Sequence, residues 1–409
     1  MEHHMLTPGR ILDLAVALFA IEPASGVQVY SVATLLSGAT PPGLPTEGAA
    51  EVASWVQTQG LGAYTPPVVP FPLRPTTLAV LHSAESPDLS ALARLLSLRY
   101  PAEHLVHIVA LDAQGAPTFT AERGLTALAT LALPVAAAYL IAVPALPAAA
   151  DQRGLEGLHW VVTRLLGPGG CPWDVRQTHQ SLRTALLEET HEVLEAIDSG
   201  DMLALAEELG DLLISIVGHS EMARQAGHFR LEDVLELVTS KLIGRHPHVF
   251  GDLSVDGEGQ VLHNWEQIKA AELAAKGKAR ASALDGIPPT LPALAAAQKL
   301  GKKAARTGFN WQSVDQVWNK VAEELSELRS AATANDRAAI AEEFGDLLFV
   351  LGRLAAWLEI DAETALREAN AKFRRRFTAV EQLAAERGLA LNELDGLTLL
   401  KLWNTIKAG

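Results

Sequence analysis

The rhythm of apolar and polar positions changes once along the chain. Up to about residue 150, short apolar runs alternate with turn-forming residues. They predict strands at Val27–Val32, Thr77–Leu81, Val106–Leu111 and Ala136–Val143. Ala49–Thr58 and Leu89–Leu98 have helical spacing, the second with Ser86 or Asp88 as its cap. A short helix is expected near Leu125–Leu131, and the proline-rich stretch Pro66–Pro75 reads as an extended connection. From Leu155 onward, apolar residues recur at intervals of three and four, as in Leu182-x3-Leu186-Leu187 and Leu209-x2-Leu212-Leu213. Strand signals almost vanish there. A turn-rich break at Phe250–Gly259 and a Lys/Ala-rich segment, Ile268–Ser282, lead to the breaker Ile287-Pro288-Pro289. The pattern predicts a mainly α protein with an α/β region over 1–150, a helical domain over 151–275, a linker over 276–290 and a second helical domain over 291–409.

The helical part repeats itself. Glu188-Glu189-Thr190-His191-Glu192 returns further along the chain as Glu323-Glu324-Leu325-Ser326-Glu327. At the same separation Glu208-Leu209-Gly210-Asp211 returns as Glu343-Phe344-Gly345-Asp346. Lys241-x3-Arg245 matches Lys372-x3-Arg376, and Trp265-x2-Ile268-Lys269 matches Trp403-x2-Ile406-Lys407. Four matches in one order describe two tandem versions of one helical domain.

Composition sharpens the boundary. Residues 1–150 carry 10 acidic residues, 5 arginines, no lysine and 16 of the 22 prolines. The net charge of −15 over 409 residues disfavours a nucleic-acid-binding surface. One cysteine, Cys171, excludes a disulfide scaffold and fits a reducing compartment. The uncharged stretch from Gly124 to Ala150 is broken by Pro134, Pro144 and Pro147 and reads as a buried helix and strand rather than a membrane span. The start has no basic region followed by an apolar core, so a cytoplasmic protein is expected.

The carboxylates carry the chemistry. Glu324 and Glu327 share one face of a helix, Glu343 and Asp346 share a face of the next, and Ala334-Asn335-Asp336 reads as the turn between them. Val321, Leu325, Leu328, Phe344, Leu347 and Leu348 are expected to bury the adjacent stripe. One such acidic string is ordinarily a solvated helix face. Two strings facing across a hairpin, repeated at one separation, point instead to a cation that removes their repulsion. All-oxygen ligands suit Mg²⁺ or Mn²⁺. A ferritin-like di-iron centre would need two E-x-x-H motifs, and only Glu188-x2-His191 is present. His246-Pro247-His248 lacks the partners of a zinc site.

Lys372 and Arg376 lie one turn apart and suit phosphate oxygens, although a solvated basic face has the same spacing. Phe373 and Phe377 are expected to mark a buried face beside them. Lys320, a turn before Glu324, is within reach of the same phosphates. Trp403 and Lys407 suit base stacking and phosphate binding, where the plain alternative is a core tryptophan. No Walker A loop, nucleophile elbow or dinucleotide fingerprint is present.

The series Cys171-Pro172-Trp173-Asp174, Leu187-Glu188-Glu189-Thr190-His191-Glu192, Glu208-Leu209-Gly210-Asp211, Arg245-His246-Pro247-His248-Val249-Phe250 and Asn264-Trp265-Glu266-Gln267-Ile268-Lys269 resembles the MazG family of nucleoside triphosphate pyrophosphohydrolases. The second repeat, through Lys372-Phe373 to Trp403 and Lys407, resembles that family's C-terminal domain. The resemblance covers the helical part of the chain, both repeats included. It implies four-helix domains, a homodimer with sites near subunit interfaces, and Mg²⁺-dependent cleavage of an NTP or dNTP to NMP and pyrophosphate in nucleotide-pool housecleaning. It implies Mg²⁺ ligation by Glu324, Glu327, Glu343 and Asp346, with Lys372 and Arg376 on the triphosphate and Trp403 on the nucleotide. Glu323 is a candidate for orienting the attacking water. In the first repeat the counterparts are Glu189, Glu192, Glu208 and Asp211 for metal, with Lys241, Arg245, Trp265 and Lys269 for substrate. The resemblance favours the second repeat as the working site.

A fainter resemblance links Ala20-Ile21-Glu22-Pro23, Tyr100-Pro101-Ala102-Glu103-His104 and Ala138-Tyr139-Leu140-Ile141-Ala142-Val143-Pro144 to the later part of a tetrapyrrole methylase-like domain. Its glycine-rich opening is not visible, which reads as a truncated, non-catalytic remnant. Two alternatives follow: a methyltransferase–hydrolase fusion acting on a tetrapyrrole-like substrate, and a non-catalytic helical interaction module.

Overall fold

A computed structural model describes residues 7–20, 26–37, 71–275 and 282–408. The predicted helix Ala49–Thr58, part of Pro66–Pro75 and most of Ala20-Ile21-Glu22-Pro23 lie outside these residues. The chain divides into two compact units, Met1–Lys241 and Leu242–Gly409, and the division falls inside one helix.

The first unit opens with α1 (Pro8–Phe19), β1 (Val27–Ser31), α2 (Val32–Ser37), β2 (Leu78–Ser83), α3 (Leu89–Leu96), β3 (Leu105–Leu111), β4 (Pro117–Gly124), α4 (Leu125–Leu128) and β5 (Ala138–Val143). The sheet order is β1-β2-β5-β3-β4. β1 and β2 run parallel, and the other neighbours are antiparallel. Side chains alternate between two buried faces. Val80, Val109 and Leu140 pack with Ile11 and Ala15 of α1, while Leu81, Ile108 and Ile141 pack with Leu35, Leu92 and Leu96 of α2 and α3. Asp88 caps α3 by accepting from the Ala91 N–H at 2.8 Å.

The four predicted strands are present with shifted ends. β4 escapes the apolar pattern, because it is an edge strand, mostly exposed, and carries little apolar signal. α1 and α2 escape it too. The helix expected at Leu125–Leu131 stops at Leu128.

Two short 3-10 turns, Ala148–Ala150 and Asp174–Arg176, flank α5 (Leu155–Leu166); α6 (Arg183–Ser199), α7 (Met202–Gln225) and α8 (Leu231–Arg245) follow. Asp151 is buried and accepts from Arg99 at 3.1 Å. Gly157 passes so close to the Asp151 backbone that a Cβ there would overlap its carbonyl oxygen. The α5–α7–α8 core is Val162, Val217 and Leu231.

The second unit continues with α9 (Pro247–Phe250), α10 (Glu258–Ala275), α11 (Ala293–Arg306), α12 (Val314–Ala334), α13 (Arg337–Trp357), α14 (Ala362–Glu386), a 3-10 turn (Leu391–Glu393) and α15 (Gly396–Ala408). Val317, Val350 and Leu354 centre one core, and Val380, Ala384 and Leu402 centre another. The mainly helical reading of the region beyond residue 150 is therefore correct for the described residues. No helix among the described residues is long and apolar enough to cross a membrane.

Candidate metal and nucleotide centre

The same turn builds the acidic hairpin in both repeats. α12 ends at Asn335, whose backbone is left-handed (φ 56°), and Asp336 starts α13 by accepting from the Ala338 and Ala339 N–H groups at 3.1 and 3.2 Å. In the first repeat Gly200 (φ 73°) ends α6, and Asp201 accepts from Leu203 and Ala204 at 3.0 and 3.1 Å. These stops fold α12 against α13 and α6 against α7, so acids from successive helices meet.

In the second repeat, one carboxylate oxygen from each of Glu324, Glu327 and Glu343 lies within 4.8 Å of the others. Glu324 is buried (4% exposed). Burial first, then the charges of Glu327 and Glu324, push the Glu343 carboxyl above its ordinary range. In the first repeat the converging set is Glu189, Glu208 and Asp211. The Glu189 and Glu208 carboxyls are likewise pushed up, by desolvation and then by neighbouring acids. Asp346 and Glu192 lie outside these tight triplets, although each contributes to the repulsion felt by its neighbours. Converging oxygens that raise one another's pKa fit a hard divalent cation.

The basic residues differ between the repeats. Lys320 Nζ bridges Glu323 Oε1 at 2.7 Å and Glu324 Oε1 at 2.8 Å, and these bonds hold its ammonium charged. Lys372, Arg376 and Lys407 have no ion pair among the described residues. In contrast, Arg245 donates from Nη2 to Glu272 Oε2 at 2.6 Å and lies 5.2 Å from the centroid of the Trp265 ring. Lys269 sits 4.4 Å from the same centroid. Lys241 lies on α8, one turn before Arg245.

Two packing expectations are corrected. Phe373 and Phe377 are exposed (59% and 43%), stacked on each other at 6.0 Å, with Phe373 5.3 Å from Trp403. Leu325, Phe344 and Leu348 are exposed as well. Apolar spacing identifies the stripe but does not say what covers it. Trp403 is half-buried beside Val380 and Leu402. Sequence reasoning also misses Glu272 and a cavity beside Phe349 and Arg353. No motif marks them, since each matters only through its fold neighbours.

The MazG nucleotide pyrophosphohydrolase domain matches residues 177–250 and 312–380. A Thermotoga maritima nucleoside triphosphate pyrophosphohydrolase/pyrophosphatase MazG is 42% identical over 254 residues, 62% of this chain and 96% of that protein. An Escherichia coli nucleoside triphosphate pyrophosphohydrolase is 44% identical over 256 residues, 62% of this chain and 97% of its own length. The chain belongs to the MazG family. An uncharacterized Bacillus subtilis protein, YabN, is 45% identical over 248 residues, 60% of this chain and 50% of that one. Both MazG matches span an acidic hairpin, and each converging triplet falls inside one of them.

Proposed function

We propose that this MazG chain hydrolyses nucleoside triphosphates, ribo or deoxy, to the nucleoside monophosphate and pyrophosphate, and that the second repeat is the principal site. The observation that carries the reading is the convergence of Glu324, Glu327 and Glu343 in a MazG hairpin. These three carboxylates, with Asp346 one turn beyond Glu343, hold Mg²⁺ or Mn²⁺. A divalent cation bound there supplies charge neutralisation for the triphosphate and a lowered pKa for water. Lys372 and Arg376 grip phosphate oxygens as a point charge and a fork. Lys320, already aligned by Glu323 and Glu324, turns to the same phosphates, and Trp403 with Lys407 steadies the nucleotide. Water adds at the α-phosphorus, the bond to the β-phosphate oxygen breaks, and pyrophosphate leaves. Glu323 orients or deprotonates that water. The first repeat offers the counterparts Glu189, Glu192, Glu208, Asp211, Lys241, Arg245, Trp265 and Lys269.

The protein acts as a homodimer. Exposed Leu209, Leu213, Ile214 and Ile216 on α7, and Phe344 and Leu348 on α13, leave apolar faces that a partner subunit covers. Its compartment is the cytoplasm, which a single free cysteine suits. Residues 1–150 are a methylase-like α/β region with a role in assembly or stability. A panel of NTPs and dNTPs with Mg²⁺ tests the activity. NMP plus pyrophosphate supports it, and NDP plus phosphate overturns it.

A further inference from the structure

The second repeat holds a cavity of about 570 Å³ that no motif announces. Phe309, Trp311 and Phe349 give it aromatic walls, and Arg353 lines it as well. Arg353 is 5% exposed, and burial disfavours its charge. Its one side-chain hydrogen bond among the described residues runs from Nη2 to Asn310 Oδ1 at 2.9 Å. The guanidinium lies 5.3 Å from the Trp311 ring centroid and flat against Gly301, where any Cβ would collide with Nη1, Cδ and Cζ. A buried cation is ordinarily matched by a carboxylate. Here a neutral amide takes one donor, and the remaining donors of the fork have no partner among the described residues.

Arg353 lies further along the helix that carries Glu343 and Asp346. Asp346 and Arg353 are seven residues apart on α13, so they share a face and are separated by about 10 Å along the axis. Phe349, one turn from Asp346, already lines the cavity. That rise matches the reach of a nucleotide whose phosphates sit on the acids and whose base lies further along the helix.

We infer that this cavity seats the nucleobase and that Arg353 selects 6-oxopurines, the guanine and hypoxanthine class. A guanidinium only donates, and guanine offers two adjacent acceptors, O6 and N7, to such a fork. Adenine presents an amino donor in place of O6 and leaves one donor unmatched. Pyrimidines present a single six-membered ring and underfill the aromatic walls. The inference rests on the pyrophosphohydrolase reading for the position of the phosphates.

The test compares calorimetric binding of the α,β-methylene analogues of GTP and ATP to the full-length protein with Mg²⁺, alongside pyrophosphate release from GTP, ITP and ATP. The guanine analogue is expected to bind roughly tenfold or more tightly. That ratio is expected to collapse in Arg353→Met and to shrink in Arg353→Lys, which keeps charge but loses the fork. Melting curves of both variants report whether the fold survives, and the wild-type ratio stands independently of them. Equal binding of the two analogues by wild type, or an undiminished ratio in both folded variants, overturns the inference. Pyrophosphate release that is indifferent to the base refutes the base pocket and leaves the activity standing. Guanine preference in binding with NDP and phosphate as products does the reverse.

Discussion

The two repeats share a hairpin and differ in how their cations are used. In the second, Lys320 lies across Glu323 and Glu324, Lys372 and Arg376 have no acidic partner among the described residues, and Arg353 lines a cavity. At the corresponding positions, the first repeat has Ala185 in place of Lys320 and Gly218 in place of Arg353. Its Arg245 is committed to Glu272 and Trp265. It also buries Glu221 against Arg224 at 2.6 Å, where the second repeat has Ala356. The first repeat therefore commits Arg245 and Glu221 to ion pairs, while the second leaves Lys372, Arg376 and Arg353 without an acidic partner among the described residues. Retained carboxylates alone do not tell the two repeats apart; the disposition of the cations does.

The comparison breaks most visibly at the phosphate grips. Lys372→Ala/Arg376→Ala is expected to raise KM for the triphosphate by roughly a hundredfold or more, since each charge-assisted bond is worth about 1.5–3 kcal/mol. Lys241→Ala/Arg245→Ala is expected to change total turnover far less, and equal losses from the two pairs would erase the asymmetry. A smaller effect follows from Glu272→Ala. It releases Arg245 from a partly buried ion pair, so a fall in melting temperature of a few degrees is expected with KM unaltered. A lower KM would instead reveal Arg245 as a phosphate ligand held in reserve.

The smallest effect is a pH dependence. Hydrogen bonds from Arg224 hold the Glu221 carboxyl below its ordinary value of 4.5. The folded state thus favours the ionised form, and the stabilisation is full above that value and fades as pH falls through the lowered one. The melting difference between wild type and Glu221→Gln is expected to be largest near neutrality and to shrink below about pH 4.5. A difference that grows on acidification would contradict this sign.

Much of this was legible in sequence because helix hairpins write their geometry locally. Asn335-Asp336 announced the turn, and the three-residue spacing of Glu324 and Glu327 announced the shared face. Strands of the buried sheet were legible for the same reason, through continuous apolar runs such as Ala138–Val143, while exposed β4 was not. Burial was harder to read. Phe344, Phe373 and Phe377 have core chemistry and exposed positions, because periodicity records that a face is apolar and not which surface covers it. Arg353 was illegible for a related reason. Its meaning depends on Gly301, Asn310 and Trp311, brought near by the packing of α11 on α13 and by the loop that precedes α12.

The central claim is that the second acidic hairpin cleaves triphosphates between the α- and β-phosphates. The most direct measurement is product analysis with GTP and Mg²⁺ for wild type, Glu324→Gln and Glu189→Gln. The expected result is GMP and pyrophosphate from wild type, a loss of roughly a hundredfold or more in Glu324→Gln, and most of the activity retained in Glu189→Gln. GDP and phosphate from wild type, or undiminished pyrophosphate release from Glu324→Gln, would contradict it.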